Sequence, residues 1–178
     1  MKYQKVFNCV RAWGAEINTR VQRLYVDGVS SYNTLQETYV KVGYKNPISG
    51  FARQDNNCIY LMDAVIQSNS VSDLRYTKHD KKLIYIYKQF AILTHEVFHI
   101  QQDLNVERYV ADPEYKRFIE DTNDAKALAF LMIHLEELSE VISKEIGRDC
   151  YMDLYHLIMS DLARYNGTEL KYQTRKVG

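Results

Sequence analysis

Residues Phe90 to Gln102 carry the pattern H-E-x-x-H, as His95-Glu96-Val97-Phe98-His99, inside an otherwise apolar run, and this stretch restricts the chain more than any other. Ile92, Leu93, Val97, Phe98 and Ile100 surround the polar triplet on nearly all sides of a helix, which is the pattern of a buried helix. His95 and His99 then stand one turn apart on one face, with Cβ atoms about 5–6 Å from each other, close enough to hold one metal ion. Glu96 falls next to them. That offset suits a carboxylate that reaches a water on the metal without ligating the metal, and takes the water's proton as general base. Two imidazoles and a carboxylate are costly to bury without partners, and Zn²⁺ would serve all three. It would lower the bound water's pKa from about 15.7 towards roughly 7. The competing reading is a pair of hydrogen-bonded core histidines beside an ion-paired glutamate.

The rest of the chain bounds what such a site can belong to. With 178 residues it fits one domain able to bury a real core. Lys+Arg and Asp+Glu both number 23, and a formal net charge of zero argues against nucleic-acid and membrane-surface partners, which are held by a basic excess. Cys9, Cys58 and Cys150 are far apart and lack C-x-x-C spacing, so they read as reduced, packed thiols. Met1 to Arg20 has no continuous apolar core and no segment approaches the length of a membrane span, so the expected location is cytoplasmic.

Few Pro and Gly (2 and 7) and long periodic segments predict an α+β chain that is mostly helical. An N-terminal backing helix is expected within residues 1–28. Its apolar positions Val6, Phe7, Val10, Trp13, Ile17, Val21, Leu24 and Tyr25 recur every three or four residues, and Asp27-Gly28 would stop it. Asn33 to Val42 reads as a short helical segment. Between 47 and 63, Ile48–Gln54 and Cys58–Met62 flank the turn-forming Asp55-Asn56-Asn57 as a β-hairpin, whose edge could accept an extended peptide as a further strand. Gln67 to Asp73, rich in Ser and Asn, reads as a loop.

Asp80 is the expected N-cap of the motif helix, which would run over 80–105, although the β-branched and aromatic Ile84-Tyr85-Ile86-Tyr87 also admits a strand there. Asp112-Pro113-Glu114 is a strong helix start for a segment over 113–146, ended by Gly147, and a last helix is expected over 150–166.

A catalytic zinc needs three protein ligands and one open position. The metzincin continuation H-E-x-x-H-x-x-G-x-x-H is absent, because Gln102 and Asn105 occupy the required Gly and His positions. A second possibility is an acid from the following helix, where Glu120-Asp121-Thr122-Asn123-Asp124 lies near its start. With a Glu followed four residues later by an Asp, Phe90 to about Phe130 resembles the gluzincin metallopeptidases. Ile119 and Asn123 depart from the thermolysin-like pattern N-E-x-x-S-D, and the small size is similar to the minigluzincins. The resemblance implies a zincin-like fold, a metal held by His95, His99 and Glu120, and Asp124 behind a ligand histidine as hydrogen-bond acceptor. The reverse assignment of Glu120 and Asp124 stays open, as does Asp121.

The expected activity is hydrolysis of a peptide or protein substrate, with Glu96 as general base. Tyr109, Tyr151, Tyr155 and His156 are candidates for stabilising the oxyanion, while His79 and His134 read as ordinary surface or core residues. The alternative is an inactive zincin-like protein that keeps zinc as a structural or interaction module, or a helical binding module without metal.

Overall fold

The computed structural model describes residues 1–14, 20–27 and 48–166, and the chain divides into two compact units, Met1–Ile100 and Gln101–Gly178. Among the described residues it is mostly helical, with one small mixed sheet.

In the first unit, helix α1 (Tyr3–Trp13) buries Tyr3, Val6, Phe7 and Val10 on one face, and the indole of Trp13 stacks on Phe90 with ring centroids 5.6 Å apart. The helix stops at Gly14, well short of the expected 1–28 span. Glycine is a poor helix residue, and downstream Arg23–Val26 is a strand, β1. The apolar residues Leu24 and Tyr25, read by spacing as a helical face, belong to that strand. Their gain comes from a parallel ladder on Cys58–Leu61 (β3), in register Arg23↔Cys58 to Val26↔Leu61, and from Tyr25 stacked on Tyr60 at 4.9 Å. The expected segment at Asn33–Val42 lies outside the described residues.

The hairpin is present as β2 (Gly50–Arg53) antiparallel to β3, with Arg53↔Cys58 closing the turn. Asn57 takes the left-handed conformation at φ 52, and Asn56 Oδ1 accepts from the Cys58 N–H at 3.1 Å, so the Asp-Asn-Asn run does what such residues favour. The order β1-β3-β2 puts β3 in the centre, with Ile59 and Leu61 fully buried, and leaves β2 at an edge of the described sheet.

Helix α2 (Asp63–Ser72) replaces the loop expected at Gln67–Asp73. Its serines turn back on the helix itself, Ser70 Oγ donating to the Ile66 carbonyl at 2.6 Å and Ser72 Oγ to that of Ser68 at 2.9 Å, while Ile66 is fully buried. Burial of Ile66 outweighs the weak intrinsic propensity, and the back-bonds only satisfy the serine hydroxyls. Asp63 ties three helices together. Its Oδ1 accepts from the hydroxyl of Tyr3 at 2.7 Å and from that of Tyr85 at 2.5 Å.

The motif helix, α3 (Lys81–Gln101), starts where Asp80 Oδ1 accepts from the Leu83 N–H at 3.0 Å, and it ends four residues before the expected 105. The strand alternative at Ile84–Tyr87 is settled as helix. Leu83, Ile84, Ile86, Tyr87, Phe90, Leu93 and Val97 are all buried, so α3 is the core element of this unit.

The second unit begins with a short helix, α4 (Val106–Ala111), capped by Asn105. Helix α5 (Pro113–Ile133) follows, with Asp112 Oδ1 accepting from the Glu114 and Tyr115 N–H groups at 3.0 Å each. The single helix expected over 113–146 is two. His134, at φ −104 and ψ 29, leaves helical geometry, and α6 (Leu135–Ile146) continues beyond it. Apolar periodicity runs through this break unaltered, since both helices bury leucines, which is why spacing alone misses it. Gly147 ends α6 in the left-handed region at φ 87, as its position after the last periodic residue predicts. Helix α7 (Tyr151–Ala163) packs Leu154, Leu157 and Ile158 into the core shared with α5 and α6. All three cysteines are free thiols, with Cys58 and Cys150 buried. Among the described residues no helix is long and apolar enough to cross a membrane.

Candidate metal centre

Burial of α3 on most of its circumference forces the polar triplet into the interior. His95 is 9% and Glu96 6% exposed, and with Gln89 and Thr94 they interrupt a buried surface that is mostly apolar. His99, one turn on, is half-buried. The helical spacing turns both imidazoles to one side, and their Nε2 atoms approach to 2.9 Å with ring centroids 4.7 Å apart. In this state one nitrogen donates and the other accepts.

Two ring nitrogens converging on one point suit a cation. At about 2.0–2.1 Å from each nitrogen, tetrahedral bonding asks for roughly 3.3 Å between them, so the rings must part by roughly 0.4 Å. With that change the two imidazoles could hold one metal ion.

The hairpin braces this stretch of α3. Gln54 Nε2 donates to the His99 backbone carbonyl at 2.5 Å, which holds the last turn of the motif against the end of β2. At the other end of β2, Gly50 meets the Glu96 carboxylate itself. A Cβ built at Gly50 would lie 2.6 Å from Glu96 Oε1 and 3.0 Å from Ile92 Cγ2. Ile92 and Glu96 are one turn apart, so the face of α3 that carries Glu96 is the face that β2 covers.

The acidic candidates lie in the second unit, on α5. Glu120 and Asp124 share one helical face, and each carboxylate accepts from a tyrosine: Glu120 Oε1 from Tyr109 of α4, and Asp124 Oδ2 from Tyr165 at 2.8 Å. Lys116, one turn before Glu120, sets its amine 5.1 Å from the centre of the Tyr109 ring. Burial pushes the Lys116 amine below its ordinary value, and neighbouring Glu120 opposes that shift. Burial, reinforced by the Asp124 carboxylate, pushes the Tyr165 hydroxyl well above the usual phenol range, so it stays a donor at any physiological pH. Asp121 points to Arg117 instead, at 3.9 Å. Buried Asn123, next to Asp124, donates to Gln102 Oε1.

Of the oxyanion candidates, Tyr109 is engaged with Glu120, whereas Tyr151 and Tyr155 are each 37% exposed and Tyr155 packs edge-on to His156. Three contributors escaped the sequence reading: Gly50, Gln54 and Tyr165. Only Gly50 left a legible sign, since a glycine inside a strand pattern marks close approach by another group. Set beside protein-family models, curated proteins and solved structures, the chain matches none of them.

Proposed function

We propose that this chain is a zincin-like metallopeptidase that hydrolyses peptide bonds, with His95, His99 and Glu120 as the ligands of a Zn²⁺ ion and Glu96 as general base. The observation that carries the reading is the convergence of His95 Nε2 and His99 Nε2 at 2.9 Å on a buried helix, with the Glu96 carboxylate one residue away and turned towards β2. When bound, the metal supplies Lewis acidity to the scissile carbonyl and makes a water nucleophile available near neutral pH.

The chain's own residues do the rest. Glu96, almost fully withdrawn from solvent, takes a proton from the attacking water and returns it to the leaving amine, so one carboxylate serves both half-reactions. The order β2, β3, α3, α5 supports the zincin-like description, because it supplies an edge strand, a motif helix and an acidic helix in that sequence. A substrate in extended conformation would lie along β2, whose first residue touches Glu96. Tyr109 donates to one oxygen of the Glu120 carboxylate and so orients the group proposed as third ligand.

The test is hydrolysis of an unstructured protein such as casein by zinc-loaded protein, with and without 1,10-phenanthroline. Cleavage that disappears with chelator, returns with Zn²⁺ and is absent from Glu96→Gln supports the reading. The second reading is an interaction module, which the hydrogen bond between the two imidazoles favours because the pair satisfies itself without a metal. In that case neither chelator nor Glu96→Gln changes anything measurable.

A further inference from the structure

The geometry points to Gly50 as the positioning residue for Glu96: the missing side chain at 50 is the slot in which the general base is seated. The inference rests on the peptidase reading and deepens it, assigning to one strand residue the task of fixing where the proton acceptor stands.

Two reasons can hold a glycine at a position, and this chain separates them. At Gly147 the backbone sits at φ 87, while a Cβ there would meet nothing within 4 Å, so conformation demands the glycine and space does not. Gly50 is the reverse case. Among the described glycines only Gly147 has positive φ, so the strand conformation at Gly50 is open to any residue. Space is what excludes a side chain, with Glu96 Oε1 at 2.6 Å, Glu96 Cγ at 3.0 Å and Ile92 Cγ2 at 3.0 Å from the position a Cβ would take.

The atoms in the way are the outer part of one flexible side chain and one methyl group. A methyl at 50 therefore presses first on Glu96, the nearest group, while β2 is held to β3 by a four-residue ladder. The substitution should act on the base more than on the fold. The same contact explains why β2 and α3 keep their registry: Gly50 against Glu96 at one end and Gln54 bonded to the His99 carbonyl at the other clamp the motif at both of its functional turns.

The experiment is a double-mutant cycle on metal-free protein, Gly50→Ala and Glu96→Ala singly and together, followed by thermal melting, which needs no catalysis to read. The expected result is a drop of a few degrees for Gly50→Ala in the wild-type background that falls by more than half when Glu96 is already Ala, because the group it collides with is gone. Gly50→Ala that folds only in the Glu96→Ala background supports the inference still more strongly. Equal drops in both backgrounds, or failure to fold in both, overturn it, since the clash would then lie with Ile92 or the strand.

If casein is cleaved, the kinetic arm of the same test predicts that Gly50→Ala lowers kcat by about 100-fold, the scale of a misplaced catalytic group, with KM changed less than threefold. A rise in KM with kcat intact would mean that residue 50 serves substrate binding alone. Absence of any peptidase activity in the wild type would remove the function proposed above, while the melting cycle would still decide whether Gly50 seats Glu96.

Discussion

His95 Nε2 and His99 Nε2 stand 2.9 Å apart on one face of α3, closer than two ligands of one zinc ion need to be and close enough for one imidazole to donate to the other. In the proposed reading, metal binding would exchange that hydrogen bond for bonds to the cation. Zinc at 100 times its dissociation constant should stabilise the protein by about 2.7 kcal/mol, raising Tm by roughly 5–11 °C for a chain of this size. His99→Ala should melt at a temperature that added zinc leaves unmoved, which differential scanning calorimetry with and without the metal would establish.

Glu96→Gln keeps the shape of the side chain and removes its basicity. Because Glu96 is assigned no place among the ligands, the variant should bind zinc with unchanged stoichiometry while peptide hydrolysis falls by about 10²–10⁴-fold, the usual weight of a general base. Metal analysis by mass spectrometry and a fluorogenic peptide assay on the same preparation check both halves. Loss of zinc together with activity would instead make Glu96 a ligand.

The Tyr109 hydroxyl donates to Glu120, so Tyr109→Phe removes one group that orients the carboxylate proposed as third ligand. Zinc affinity should weaken by about 10–100-fold, as is usual when the group orienting a ligand is lost. Competition against a chromophoric chelator measures it. An unchanged affinity would mean that Tyr109 serves the packing of α4 only.

Burial, and then its bond to Asp63, push the Tyr85 hydroxyl up to about 12. A phenol whose folded value lies above its unfolded one, about 10, adds stability that is complete below pH 10 and lost as pH rises towards 12. Tyr85→Phe should cost about 1 kcal/mol at pH 8, and its deficit against wild type should shrink between pH 10 and 12. Urea denaturation of both proteins at pH 8 and pH 11.5 compares the two conditions. Tyr3 donates to the same Asp63 oxygen, which limits the loss.

Local signals with a single physical cause were legible in the sequence. Asp80 and Asp112 cap the helices they were expected to cap, Gly147 ends α6 in the left-handed conformation, and Asp55-Asn56-Asn57 turns the hairpin. The pairing of His95 with His99 follows from helical spacing alone. What spacing misread depends on partners distant in the chain. Leu24 and Tyr25 fit a helical period, yet a ladder on β3 holds them extended; the Ser-rich stretch before Asp73 is helical because Ile66 is buried; and His134 interrupts an apolar pattern that runs on through it. Gly50 is informative only once Glu96 is seen beside it, since no sequence states which group fills the space that a missing side chain leaves.

The proposed peptidase requires one cation bound by His95, His99 and Glu120, which a crystal grown with zinc and measured at the zinc absorption edge would reveal or exclude. The expected result is a single anomalous peak about 2.0–2.2 Å from His95 Nε2, His99 Nε2 and a Glu120 carboxylate oxygen. An imidazole pair still hydrogen-bonded to itself, with no peak between the rings at saturating zinc, would contradict it.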